Sequence, residues 1–214
     1  MYLSVKRFFD VLIAICLLPF VLLVILISAF FIKIEDGGPV FYLGKRIGKN
    51  GKIFKMIKLR SMYVNAPDIR LEDGSTYNSS DDDRVTKFGR VARKTSIDEL
   101  PQIINVLIGD MSFIGPRPDT DKYLYHYEEC PEDKKVLSVR PGITGYNQVI
   151  NRNDSNAEIK MKCDKYYVDN ISFILDCKIL IKTITVVMGQ KNIWIMMLWR
   201  QQLMKRQKQL LLWI

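Results

Sequence analysis

Residues 84–118 read RVTKFGRVARKTSIDELPQIINVLIGDMSFIGPRP, and they set two adjacent carboxylates, Asp98 and Glu99, among Arg84, Arg90, Arg93, Arg117, Lys87 and Lys94. Acids at that density inside a cationic field suit chemistry on a phosphate ester, where one group attacks and the others hold negative charge. Leu100, Ile103, Ile104 and Leu107 recur at helical spacing, so Ser96–Ile108 reads as a helix with the carboxylates at its start.

A bland reading of the pair stands beside the chemical one. Ser96-Ile97-Asp98-Glu99 fits a capping box, with Ser96 as N-cap and Glu99 reaching back to it. Asp98 as N-cap instead puts Pro101 at a tolerated first-turn position. Either start would turn backbone N–H groups toward an approaching phosphate. In the chemical reading one carboxylate attacks phosphorus, and the other accepts a proton or helps hold Mg²⁺. The arginines then grip phosphate oxygens through their planar forks, whereas in the bland reading they form a solvated cationic face.

Outward toward the N-terminus lies the single apolar run, Val11–Ile32, 22 residues without a charge. As a straight helix it is about 33 Å long, enough to cross the hydrocarbon layer. It is too long for a cleaved signal peptide and lacks a small-residue cleavage site. Pro19 falls inside it and removes a helical hydrogen bond. Basic residues flank both ends, Lys6 and Arg7 before and Lys33, Lys45, Arg46 and Lys49 after, which favours returning both ends to one side. Physics alone leaves a spanning and a re-entrant helix open.

Between the run and the carboxylates, Gly37–Met62 alternates short apolar stretches with glycine, and Lys49-Asn50-Gly51 marks a hairpin turn. Pro67–Asp83 is polar, acidic and rich in Ser, a surface loop. Beyond Pro118, Pro141-Gly142 and Gly145 mark a turn and Ile159–Val168 is helical. Ser172–Met188 is an amphipathic helix with Phe173, Cys177, Leu180, Ile181, Ile184 and Val187 on one face.

The totals narrow the partners. Thirty-two Lys plus Arg against 23 Asp plus Glu give a net charge of +9 over 214 residues, which calls for nucleic acid, anionic lipid or phosphorylated small molecules. Four cysteines (16, 130, 163 and 177) form no CxxC pair and suggest neither a metal site nor a disulfide framework. One histidine, His126, gives a Ser-His-Asp triad no support. No GxGxxG or GxxxxGK[ST] loop occurs.

Read together, KRFFD (Lys6–Asp10), the apolar run with its internal proline, GPVFY (Gly38–Tyr42), FKMIKLRSM (Phe54–Met62), IDELPQIINVLIGDMSFIGPRP (Ile97–Pro118), VRPGITGYNQV (Val139–Val149) and YYVDNISFILDCKIL (Tyr166–Leu180) resemble the small monotopic bacterial sugar transferases. These are polyprenyl-phosphate phosphoglycosyl transferases. The resemblance runs from about Lys6 to Val187. It implies an enzyme that moves sugar-1-phosphate from a UDP-sugar to polyprenyl (undecaprenyl) phosphate, releases UMP and starts a surface glycan.

It also implies roles: Asp98 as nucleophile and Mg²⁺ ligand, Glu99 as its partner carboxylate, and Arg60, Arg93, Arg117 and Pro118 at phosphate- or nucleotide-binding positions. Asp164 falls on a further polar site position, and Arg140 is a weaker addition. Mg²⁺ is the implied cofactor; UDP-sugar, polyprenyl phosphate and membrane lipids are the implied partners, without nucleic acid. The implied place is the cytoplasmic face of the bacterial inner membrane. The expected fold is α+β and mostly helical: an N-terminal re-entrant membrane helix broken at Pro19 (1–33), a cytosolic-face domain with amphipathic interfacial helices and a small β element (34–188), and an atypical basic and aromatic tail (189–214). Leu18 stands where relatives often carry serine. The tail does not resemble the family; an interfacial helix and an altered reading frame or truncation account for it equally. The spanning helices of longer relatives are not in this sequence. A membrane-anchored nucleic-acid binder and a non-catalytic scaffold are the competing classes.

Overall fold

The computed structural model describes residues 2–69, 82–151 and 156–187. The tail and most of the expected surface loop between Pro67 and Asp83 lie outside them. A long helix, α1 (Tyr2–Asp36), leads into an antiparallel hairpin, β1 (Phe41–Ile47) and β2 (Ile53–Leu59). Next come α2 (Lys87–Thr95), a 3-10 turn (Ile97–Glu99), α3 (Gln102–Ile108) and β3 (Ser112–Ile114). Then follow α4 (Leu124–Glu129), a 3-10 stretch (Pro131–Ser138), β4 (Gly142–Thr144), α5 (Tyr146–Asn151), α6 (Ala157–Asp169) and α7 (Phe173–Val187). The α+β, mostly helical expectation holds.

α1 is apolar and long enough to cross a membrane. Its lipid-like face exposes Phe8, Leu12, Phe20, Leu23, Leu26 and Phe30, while Ala14, Val21, Ile25 and Ile32 are buried in one core with Phe54, Met56, Leu59, Ile103 and Val106. Each such burial is worth about 1.5–3 kcal/mol for the larger side chains, so α1 is a wall of the core rather than an appendage. The helix ends at Asp36, three residues past the expected boundary at 33. Pro19 lies inside this one continuous helix.

Both ends of α1 close on the same body. At the start, Lys6 Nζ donates to Asp176 Oδ2 (2.6 Å) and Arg7 donates to the carbonyls of Val106 and Leu107 (2.6 and 3.0 Å). Asp10 accepts from Ser112 Oγ (2.8 Å). Three residues of the KRFFD motif are thereby explained as fasteners. At the end, Glu35 accepts from the first-turn N–H groups of α2, Lys87 and Phe88 (2.5 and 3.0 Å), where an anion complements the helix dipole. Asp36 pairs with Arg60, Nη1 to Oδ2 at 2.9 Å.

The hairpin forms where Asn-Gly predicted it: Asn50 and Gly51 take positive φ (58° and 78°) in a short 3-10 turn. Asn105 of α3, wholly buried, accepts from Ile57 N (2.9 Å) and donates to Lys55 O (2.8 Å). One amide thus stitches α3 to β2 with good geometry in a dry core.

Helix α7 turns its marked face outward. Phe173, Leu180, Ile181 and Ile184 are exposed with Ile174, while Asp176 and Ile179 are buried against the body. The side chain of Val187 lies outside the described residues. An apolar face left uncovered beside α1 fits the interfacial helix expected there.

β3 and β4 run parallel, Ser112 opposite Gly142 and Ile114 opposite Thr144. Gly142 N donates to Pro116 O (2.9 Å), and Gly115 N to Thr144 O (2.9 Å). A Cβ at Gly142 would stand 2.1 Å from Gly115 N, so backbone has to move if it is added. Gly142→Ala is expected to cost about 1–3 kcal/mol, the usual range for overpacking, and to shift the segment that carries Arg117. Thermal melting and activity measured together check this; a wild-type melting temperature would contradict it.

Candidate active site

Asp98 and Glu99 sit in the 3-10 turn between α2 and α3, not at the head of one helix. Ser96 is left-handed (φ 58°) as the last cap of α2 and makes no side-chain cap bond. Neither capping reading survives, therefore. The turn also uses its own N–H groups: Glu99 N bonds Ser96 O, Leu100 N bonds Ile97 O, and Ile104 N bonds Pro101 O. Few backbone donors remain for a phosphate, and side chains must supply the positive field. Pro101 precedes α3, where its missing N–H costs nothing.

Three elements bring that field. From β2, Lys58 Nζ reaches Glu99 Oε1 at 2.6 Å, and from the segment after β3, Arg117 Nη2 reaches the same oxygen at 3.1 Å. From α2, Arg93 Nε donates to Ser61 Oγ (2.9 Å) and its charge attracts Asp98. α2 comes this close because Gly89 has no side chain: a Cβ there would lie 2.0 Å from Ser61 O.

The two carboxylates are driven apart in proton affinity. Burial pushes the Asp98 carboxyl above the usual range, with Lys58 pulling it back, Glu99 adding repulsion and Arg93 attraction. Glu99 is also raised by burial, but Arg117 and Lys58 overcome this and bring it down to about 2. Burial beside Arg117 lowers the Lys58 ammonium, against the pull of Glu99. One carboxylate is neutralised twice over; the other is desolvated and under-compensated, the state of a reactive group.

Lys58 escaped the sequence reading although FKMIKLRSM was in view. Its signal was a cation on a short strand whose neighbours Met56 and Leu59 are core residues. Of the expected site residues, Asp98, Glu99, Arg93 and Arg117 come together, and Pro118 follows Arg117. Arg60 pairs instead with Asp36 at the end of α1, and its Nε is buried with no hydrogen-bond partner among the described residues. Arg140 lies at the opposite end of α3, donating to Gly109 O (2.8 Å) near Arg7.

Asp164, 1% exposed, lies behind the site. Lys160 Nζ bridges it (3.1 Å) to Asp119 (3.0 Å), and Tyr127 also donates to Asp119 (2.8 Å). Burial pushes the Asp164 carboxyl upward. This layer braces the Arg117-Pro118-Asp119 segment from within.

Mg²⁺ asks for oxygen ligands and commonly takes one or two carboxylates plus substrate phosphates. Asp98, its charge only partly compensated by Lys58 and Arg93, fits as such a ligand, and Glu99 Oε1 is occupied by Lys58 and Arg117.

The family model of bacterial sugar transferases matches residues 1–190. The chain is 40% identical over 191 residues to the UDP-N-acetylgalactosamine-undecaprenyl-phosphate N-acetylgalactosaminephosphotransferase of Aeromonas hydrophila, covering 87% of this chain and 44% of that protein. It is 40% identical to the exopolysaccharide production protein ExoY of Sinorhizobium fredii, covering 85% and 84%. It is 38% identical to the undecaprenyl-phosphate galactose phosphotransferase of Salmonella typhimurium, covering 86% and 40%. The chain thus spans less than half of two of these relatives and most of the third. The match covers every block that carried the resemblance, and the chain belongs to the bacterial sugar transferase family.

Proposed function

We propose that this protein transfers sugar-1-phosphate from a UDP-sugar to polyprenyl phosphate at a membrane surface, through an intermediate on Asp98. The observation that carries this reading is a buried, under-compensated carboxylate flanked by Lys58, Arg93 and a Glu99–Arg117 pair. An Asp98 oxygen attacks the sugar-bearing phosphorus, the phosphoanhydride bond breaks, and UMP leaves with the bonding electrons. An oxygen of polyprenyl phosphate then attacks the same phosphorus, restoring the Asp98 carboxylate and giving polyprenyl diphosphate-sugar. The relatives named for undecaprenyl-phosphate sugar transfer support the same reaction.

Glu99 at about 2 is a poor base while Lys58 and Arg117 hold it. When those cations turn to substrate phosphates, Glu99 loses its compensation and its proton affinity rises, so it can take the acceptor phosphate's proton in the second step. Mg²⁺ bound by Asp98 and substrate would offset the repulsion between anionic nucleophile and anionic donor. The test is UMP release from a panel of UDP-sugars with polyprenyl phosphate and Mg²⁺, in wild type and Asp98→Asn. Release that continues beyond one equivalent of enzyme without the lipid acceptor, or that survives the substitution, refutes the reading.

A re-entrant, one-sided placement of α1 is part of the proposal. Lys6–Asp176 at one end and Asp36–Arg60 at the other are supported by a single body, which a helix crossing the bilayer would have to abandon at one end. Cysteines placed at Leu3 and Ile34 in a cysteine-free background are expected to react with an impermeant maleimide from the same, cytoplasmic side. Labelling from opposite sides would overturn the one-sided placement.

A further inference from the structure

On the flank of the molecule, outside the carboxylate site, three side chains of different donor chemistry converge. His126 lies on α4, Cys130 closes that helix and Asp133 follows in the 3-10 stretch. Their ligand atoms all lie within 4.8 Å of one another. His126 and Cys130 are four residues apart, so one helical face presents both. Cys130 N bonds His126 O (2.8 Å) and Asp133 N bonds Cys130 O (3.0 Å), which locks the three into one continuous turn.

We propose that His126, Cys130 and Asp133 form a site for a borderline-soft divalent cation of the zinc class. Imidazole nitrogen, thiolate sulfur and a carboxylate oxygen are ligands Zn²⁺ accepts together, and three protein ligands leave a fourth position for water. The set is wrong for Mg²⁺, which prefers oxygen, so this cation would not compete for the Asp98 site. His126 Nε2 now contacts Asp133 Oδ2 at 2.7 Å. On binding, that contact gives way to two metal bonds: the imidazole gives up its Nε2 proton to solvent and carries its remaining or replacing proton on Nδ1, and the Cys130 thiol releases its proton to solvent as the sulfur–metal bond forms.

The surroundings are already those of a supporting shell. Lys165 pairs with Asp133 Oδ1, the oxygen that does not face His126, fixing the carboxylate. Tyr123 stacks on the imidazole at 4.6 Å. Exposed Glu129 and Glu132 place further negative charge about Cys130. The cysteine count missed the site because only one thiol takes part. The next residue on α4, Tyr127, donates to Asp119 (2.8 Å), so a bound cation would stiffen the brace behind Arg117.

The test uses the full chain in detergent with Mg²⁺ present, titrated with Co²⁺ and Zn²⁺. One equivalent of Co²⁺ is expected to give a thiolate charge-transfer absorption that Zn²⁺ abolishes. Cys130→Ser should remove that absorption, and His126→Gln should weaken binding at least about tenfold. In wild type, Zn²⁺ should protect Cys130 from alkylation while Cys163 and Cys177 react as before, a readout independent of how the variants fold. Absence of the absorption, its persistence in Cys130→Ser, or alkylation of Cys130 unaffected by Zn²⁺ would overturn the proposal.

Discussion

Asp98→Asn is expected to abolish turnover, by at least about 10³-fold, while leaving the protein as stable as wild type or more so. The substitution keeps shape and removes only the charge that attacks in the proposed reaction. Because burial holds the Asp98 carboxyl above its ordinary range, the folded protein binds a proton there more tightly than the unfolded chain. The linked stability is present at low pH and is lost as pH rises through the folded value. At neutral pH the ionised carboxylate is thus a liability that Asn relieves. Thermal melting separates this outcome from a damaged fold. Mass spectrometry of protein quenched with donor but no lipid should show a sugar-phosphate adduct on wild type and none on the variant. An adduct on another residue, or a variant that is inactive because it is unfolded, would contradict the assignment.

Lys58→Met should be the next most damaging change, lowering kcat/KM by about 10²-fold, the scale for one preorganised charged donor. Its distinguishing mark is the pH profile. Asp98 must be ionised to attack, so activity falls as pH drops through its raised value. Lys58 is the largest influence pulling that value down, and its loss should carry the acid limb to higher pH. Any alkaline limb that Lys58 contributes lies below the ordinary lysine range, because burial lowers it, and should vanish with it. A variant with both limbs unmoved would show Lys58 to be merely structural.

How much could be read beforehand differs by element. The hairpin turn at Asn50-Gly51 and the helix of residues 173–187 were legible because backbone preference and periodicity act locally. The carboxylate pair was visible as a pair, yet its setting was misread: Ser96 caps α2 from the left-handed region, a choice dictated by the chain's turn from α2 into α3. Lys58 and Asn105 were silent because their value depends on what faces them across more than 40 positions. Arg60 and Arg140 were visible as guanidinium groups but their present partners, Asp36 and the Gly109 carbonyl, were not, since a motif shows the side chain and not what faces it. α7 was read correctly as amphipathic, but nothing in its periodicity says whether the apolar side meets protein or lipid.

Lys58 in β2 and Arg60 just past its end stand two positions apart, one grasping Glu99 beside Asp98 and the other grasping the last residue of α1. That spacing works as a depth gauge. Under the reaction proposed above, however deep the apolar rod settles among the acyl chains, the phosphorus that Asp98 attacks would be held at one height above it, level for a water-borne nucleotide arriving from above and a tethered phosphate arriving from below.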